Sequence, residues 1–194
     1  MRRVLKFVMI AATVAVVYAP AKAHADGYIS PFIGVNFANN SGDGRANYGV
    51  NAGYMGAGVI GGELDFGYAP SFFGNQGTYG SNYVMDFMGN VIVGIPVGGT
   101  HGAGVRPYGT IGLGLVRSQV TGGVNGLIQT SNNDVGMNAG AGVMGFLSDH
   151  VGLRGDLRYF RTFNDNSTIS AGNGVNIDFG SFHFWRASFG VVIR

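Results

Sequence analysis

The sequence predicts an all-β fold, an eight-stranded antiparallel up-and-down barrel of the kind that crosses a membrane with its strands. Three observations carry that prediction. Apolar and polar residues alternate with a period of two in eight separate segments, which is the period of a strand and not of a helix. Each segment runs to about ten residues or more, the length a tilted strand needs to cross a bilayer. The connections between segments alternate between short and long, as they do in barrels with tight turns on one rim and loops on the other.

The chain opens MRRVLKFVMIAATVAVVYAPAKAHADGY. Arg2, Arg3 and Lys6 precede an apolar run from Phe7 to Ala19 that is too short for a spanning helix, and small residues then offer cleavage after Ala23 or Ala25. The expectation is a cleaved signal peptide over 1–25 and a barrel domain over 26–194. Cleavage removes Arg2, Arg3, Lys6 and Lys22, leaving eight arginines against ten carboxylates, a net charge of −2. With no lysine and no basic run left, nucleic acid is not an expected partner. There is no cysteine, so neither disulfides nor thiolate chemistry is available. Glycine is abundant, at 36 of 194 residues, without the three-residue period of collagen. A hydrophobic content of 46% argues against disorder, so the glycines point to strands that turn tightly or approach closely.

The elements follow in order. Segment one, Gly27–Phe37, sets Ile29, Ile33, Val35 and Phe37 against Ser30, Gly34 and Asn36. Segment two, Asn47–Met55, sets Tyr48, Val50, Ala52 and Tyr54 against Asn47, Gly49, Asn51 and Gly53. Segment three, Val59–Ala69, sets Leu64, Phe66 and Tyr68 against Glu63, Asp65 and Gly67. Segment four, Asn82–Ile95, sets Tyr83, Met85, Phe87, Val91, Val93 and Ile95 against Asp86, Met88 and Asn90. Segment five, Val105–Arg117, sets Ile111, Leu113 and Leu115 against Arg106, Tyr108 and Thr110. Segment six, Asp134–Leu147, sets Val135, Met137, Ala139, Ala141 and Val143 against Gly136, Asn138, Gly140 and Gly142. Segment seven, HVGLRGDLRYFRTF, alternates Val151, Leu153, Leu157 and Tyr159 with Arg154, Asp156 and Arg158. Segment eight, Phe182–Ile193, sets His183, Trp185, Ala187, Phe189, Val191 and Ile193 against Arg186, Ser188 and Gly190. Aromatics at segment ends (Tyr28, Tyr48, Tyr54, Tyr68, Tyr83, Tyr159, Phe163, Phe182) fit the girdles of a membrane interface.

Which face meets lipid follows from cost. An arginine on the lipid face at mid-bilayer costs about 2–4 kcal/mol, so the charged face must turn inward. The same parity sends Glu63, Asp65, Asp86, Arg106, Arg154, Asp156, Arg158 and Arg186 into the lumen, four acids and four bases. In a ring of eight, strands three and seven lie diametrically opposite, and the lumen is just wide enough for side chains to fill. The arginines of strand seven are therefore expected to reach Glu63 and Asp65 across it, forming a network that plugs and braces the barrel. Inward glycines (Gly34, Gly49, Gly53, Gly112, Gly140, Gly142) are expected to leave room for water, which keeps a narrow conducting path open as the alternative.

From GYISPFIGVNF to SFHFWRASFGVVI the chain resembles the small eight-stranded outer-membrane barrels of the OmpA/OmpX-like kind. The resemblance rests on strand count, loop asymmetry, leader and an alternating aromatic last strand, and departs in the ending Ile193-Arg194. It implies export by a Sec-type signal to the bacterial outer membrane, with outer-membrane lipid and lipopolysaccharide around the wall. It also implies a structural or surface-interaction role, any surface ligand being taken by the extracellular loops.

Several sharper motifs are weaker than they look. GAGVIG (56–61) and GAGVMG (140–145) match the dinucleotide glycine pattern, but no helix follows either to receive a pyrophosphate, so no cofactor is expected. Arg154-Gly155-Asp156 reads as an adhesion tripeptide but lies mid-strand with its charges inward. Asn166-Ser167-Thr168 reads as a polar turn. His101 and His150 fall in short turns with no metal-ligand spacing. His183, with Ser181 nearby, leaves a lipid-modifying enzyme as a minor alternative, but no acid partner is placed beside them, so catalysis is not expected.

Overall fold

Strands with one apolar face and one polar face leave unpaired backbone groups at a sheet edge, and lipid offers those groups no partner. Closure into a ring removes the edge. The computed structural model describes residues 25–37, 44–72, 81–98, 102–122, 128–163, 168–171, 175–178 and 183–194. Eight strands close into an antiparallel barrel: β1 (Ala25–Phe37), β2 (Arg45–Gly56), β3 (Ile60–Pro70), β4 (Ser81–Gly94), β5 (Gly104–Gly122), β6 (Ile128–Phe146), β7 (Val151–Thr162) and β10 (His183–Ile193). Around the ring the order is β1-β10-β7-β6-β5-β4-β3-β2. The last strand closes on the first in a register running from Ile29↔Ile193 to Phe37↔Trp185. This order sets β3 opposite β7 and β4 opposite β10.

Two features go beyond the expected elements. Strands β5 and β6 pair as far as Gly122↔Ile128, well past the expected ends of segments five and six. The extra lengths, SQVTG (118–122) and IQTSNN (128–133), lack the apolar alternation by which the segments were read. A separate two-stranded hairpin, β8 (Thr168–Ala171) with β9 (Val175–Asp178), occupies the connection between β7 and β10 that was expected to be a polar loop. The expected signal peptide, with cleavage after Ala23 or Ala25, lies outside the described residues but for its last residue, Ala25, which opens β1.

One rim is built of short turns. Between β2 and β3, Ala57 (φ 48°) and Gly58 (φ 69°) both take the left-handed region, and the Val59 N–H donates to the Gly56 carbonyl at 3.0 Å. Positive φ at both central positions makes a turn of the primed kind, with Val59 as a third loop residue before the Gly56↔Ile60 pair. The GAGVIG motif is thus a hairpin turn, and GAGVMG lies within β6. At the same rim, Arg194 N–H donates to the His150 carbonyl at 2.9 Å, and its guanidinium covers the Phe146 ring at 3.6 Å.

The outward wall is as expected: Ile33 (70% exposed), Leu64, Phe87, Ile111, Leu157 and Phe189 all point away from the barrel. Rings at the long-loop rim touch along it, Tyr48 to Tyr68 at 5.4 Å, Tyr68 to Tyr83 at 5.6 Å and Tyr159 to Trp185 at 5.2 Å. Tyr28 does not belong with them. It is buried in the lumen, because it shares parity with Ser30 and Phe32, and its hydroxyl donates to Glu63.

The lumen has three layers. Near the short-turn rim, Tyr28, Met55, Ile92, Tyr108, Met144, Phe146 and Val192 form one apolar cluster. Near the long-loop rim, Ala69, Phe72, Val84, Met88, Val116, Phe160 and Phe184 form another, with Phe160 and Phe184 stacked at 4.7 Å. Charged side chains occupy the layer between.

Candidate functional site

Charge in this lumen is sorted by wall. On β7 the period of two places Arg154, Asp156 and Arg158 on one inward row, and the register Arg158↔Arg186 sets the β10 arginine beside them. On β3 the same period places Glu63 and Asp65 inward, and Gly67↔Asp86 brings the β4 carboxylate alongside. The two walls face each other across the barrel.

The expected diametric contacts form. Arg154 Nη1 meets Glu63 Oε2 at 2.6 Å. Arg158 Nη2 meets Glu63 Oε1 at 2.8 Å, and its Nη1 meets Asp65 Oδ2 at 3.2 Å. A second diameter runs from Arg186 Nη1 to Asp86 Oδ1 at 3.0 Å, and Arg186 Nη2 also donates to Asp65. Within β7, Asp156 Oδ2 accepts from Arg154 Nε at 3.2 Å and from Arg158 Nη2 at 2.9 Å, separating two guanidinium groups that would otherwise repel. The side chains of Arg158 and Arg186 are fully buried.

Neutral groups complete the cluster. The Tyr28 hydroxyl donates to Glu63 at 2.6 Å, the Tyr108 hydroxyl to Asp156 at 2.9 Å and the Ser188 hydroxyl to Asp156 at 2.8 Å. Arg154 Nε in turn donates to the Tyr108 hydroxyl at 2.6 Å. Aromatic faces cover the guanidinium planes: Arg186 lies between Phe32 (4.8 Å) and Phe160 (4.7 Å), and Arg154 lies over Tyr108 (4.8 Å). Such stacking suits the weakly hydrated arginine face while its edge serves the carboxylates.

Seven of the eight residues expected in the network are therefore brought together. Arg106 is not in the central cluster. It lies at the short-turn rim, with its guanidinium against Gly58, 5.1 Å from the Phe146 ring and in contact with Met55 Sδ. Its parity is inward as expected, but its height on β5 is that of the lower apolar layer. The residues that sequence reasoning missed are Tyr28 and Tyr108 as hydrogen-bond donors and Phe32 and Phe160 as covers. Their inward parity was readable, but an aromatic on that parity looks like ordinary wall until the arginines beside it are located.

The inward glycines are not open space. A Cβ at Gly49 would lie 2.7 Å from the Phe32 ring, and one at Gly112 would lie 1.9 Å from Asn90 Oδ1. At Gly142 it would meet the Tyr108 hydroxyl at 2.5 Å, and at Gly140 the Arg158 side chain at 2.7 Å. These glycines are the notches that let the long side chains of neighbouring strands lie flat across the lumen.

The sharper motifs resolve simply. Arg154-Gly155-Asp156 has both charges in the lumen. His183 is half-buried beside Tyr159, with the rings 6.1 Å apart, and Ser181 lies outside the described residues. His101 and Asn166 also lie outside them. Among the described residues no group of three or more His, Cys, Asp or Glu side chains is placed to hold a metal ion.

Solved structures share this architecture. The N-terminal β-barrel domain of Pseudomonas aeruginosa OprF matches with a TM-score of 0.52 at 19% identity, over 87% of this chain and 96% of that one. Neisserial surface protein A matches with a TM-score of 0.59 at 15% identity, over 87% and 97%. The attachment invasion locus protein Ail of Yersinia pestis, in its complex with the heparin analogue sucrose octasulfate, matches with a TM-score of 0.50 at 10% identity, over 87% and 97%. No curated protein matches the chain. The model of the outer membrane protein β-barrel domain matches residues 9–190. An eight-strand ring with an apolar outer wall, an ion-paired lumen and that match over most of its length establish that this chain belongs to the outer membrane protein β-barrel domain family, and its place is the bacterial outer membrane.

Proposed function

We propose that this protein is a structural and surface-interaction barrel, closed to solutes, whose lumenal charge cluster braces opposite walls while the loops of the outer rim meet whatever the cell surface encounters. The observation that carries this reading is the pair of crossed ties, β7 to β3 and β10 to β4, held between two apolar layers. A buried carboxylate facing a guanidinium across the full width of the barrel resists flattening of the ring. The apolar layers above and below impose a desolvation barrier on any ion passing along the axis.

A second reading, a narrow hydrated path, draws on Ser30, Asn36, Asn47 and Asn138. These are buried inward residues whose polar atoms pair with no protein group among the described residues, and such groups are ordinarily met by water.

Planar-bilayer recording of the refolded mature protein separates the two. The brace reading expects no stepwise conductance from the natural sequence, and both lower heat stability and intermittent conductance from Arg154→Ala. Steady conductance in the natural sequence would favour the hydrated path. If Arg154→Ala altered neither property, the brace would be refuted.

A further inference from the structure

Part of the outward wall is grooved. Across β6, β7 and β10, Ala139, Ala141, Leu157, Tyr159 and Trp185 line a shallow apolar groove. The register orders it in rows. Ala141–Leu157–Ala187 is followed toward the outer rim by Ala139–Tyr159–Trp185, and then by Met137–Arg161–His183. The groove exists because alanines flank the larger side chains in the first two rows. It ends at a cation.

Arg161 points outward and is exposed, immediately beyond the Tyr159–Trp185 aromatic pair that marks the membrane interface. On the other side of β6, Arg117 is also exposed and outward, level in register with Asn133. Neither arginine makes an ion pair or hydrogen bond among the described residues. The carboxylate next to Asn133, Asp134, is buried. Arg154, Arg158 and Arg186 in the lumen each sit against carboxylates, whereas among the described residues these two cations on the lipid side of the rim meet no anion and are placed to take one from outside the protein.

We infer that this face binds an outer-leaflet lipid bearing a phosphate monoester, with one acyl chain in the Ala139–Ala141 groove and the phosphate on Arg161, and with Arg117 as the second cation. Guanidinium matches phosphate geometry by paired hydrogen bonds, and the groove directly below it supplies an apolar bed for the chain attached to that phosphate. The inference is independent of whether the lumen conducts, since it uses only the outer surface.

Trp185 is the only tryptophan in the chain and lies in the groove, so its fluorescence reports the occupant directly. The mature barrel is reconstituted in phosphatidylcholine vesicles, and a minor fraction of lipid with brominated, quenching chains is introduced as phosphatidate or as phosphatidylcholine. The expected result is a preference of about fivefold for phosphatidate at Trp185, the size that one arginine at an anionic surface supplies. Arg161→Gln should abolish that preference and Arg117→Gln should reduce it, both variants keeping the natural heat-dependent gel mobility. Excess inorganic phosphate should leave it unchanged. Equal quenching by the two lipids, a preference that survives Arg161→Gln, or displacement by inorganic phosphate would each overturn the inference.

Discussion

The two walls of the lumen hold opposite charge. The β7–β10 wall carries Arg154, Arg158 and Arg186, with Asp156 as the carboxylate between two of them. The β3–β4 wall carries Glu63, Asp65 and Asp86 and no arginine in the cluster. The first wall is crowded with cations and shares one internal acid, whereas the second holds only acids and depends on the first for its counterions. Neither wall is tolerable alone, because like charges at close range in a low dielectric repel strongly. The ring must close for the acids of β3 and β4 to be neutralised, so the register of β10 on β7 and of β1 on β10 is tied to the electrostatics of strands on the far side.

Removing the most connected cation should break this arrangement most severely. Arg158 meets three carboxylates, Glu63, Asp65 and Asp156, and is fully buried. Arg158→Met keeps much of the volume but leaves those acids without their shared partner. Loss of one member of a buried ion pair costs about 3–5 kcal/mol, and Arg158→Met is expected at that level. Urea unfolding of the reconstituted barrel, followed by Trp185 fluorescence, measures it. A change below 1 kcal/mol would mean the cluster behaves as an exposed surface pair does.

The acid wall should respond less to a single change. Asp86 has one ion-pair partner, Arg186, which keeps Asp65 when Asp86 is neutralised. Asp86→Asn retains a carbonyl acceptor for Arg186, so the loss is a charge-assisted hydrogen bond, about 1.5–3 kcal/mol. If Asp86→Asn proved as damaging as Arg158→Met in the same unfolding assay, the two diameters would be equivalent and the asymmetry between walls would be wrong.

How much of this was legible beforehand depends on the layer. The outer face follows from parity, since a period of two fixes the side of every residue in a segment, and the reach of strand seven's arginines to strand three's acids follows from parity and the count of eight strands together. Height along the axis does not follow from parity. That is why Arg106 reads as a member of the charge cluster but belongs to the lower apolar layer, and why Tyr28 reads as girdle but donates to Glu63. The apolar layers themselves left a signal in runs where both faces are oily: Val91-Ile92-Val93, Val191-Val192-Ile193 and Phe184-Trp185. Such runs mark the ends of the lumen, where an inward residue meets no charge. The glycines were legible as inward but not as notches, because what fills a notch comes from a different strand.

Those notches give the next prediction in size, on β6 beside the cationic wall. A Cβ at Gly140 would lie 2.5 Å from the Leu157 carbonyl oxygen and 2.7 Å from Arg158 Cγ, so Gly140→Ala must displace backbone or arginine. Overpacking of that kind costs about 1–3 kcal/mol. At Gly155, by contrast, the nearest atom to a Cβ is 4.0 Å away, and Gly155→Ala should leave the unfolding midpoint where it is. Equal effects at the two sites would show that Arg158 is free to move, contrary to its threefold anchoring.

The smallest expected effect lies outside both walls and tests whether the brace needs help from the chain end. Arg194 stacks on Phe146, donates its backbone N–H to His150 and reaches the Ser148 carbonyl at 3.5 Å. It thereby ties the closing strand to the β6–β7 turn on the short-turn rim. The side-chain contact is half-exposed, and a cation over an aromatic face in such a place contributes about 0.5–1 kcal/mol. The backbone bond survives substitution. Arg194→Ala should therefore lower stability by no more than that amount, and its effect should add to that of Arg158→Met, because Arg194 acts at the short-turn rim and Arg158 in the central layer. Measured coupling well beyond additivity would mean that fixing the last strand at its end sets the register on which Arg186 and Arg158 meet the opposite wall. The electrostatic cross-ties would then depend on β-closure from below as much as they enforce it from within.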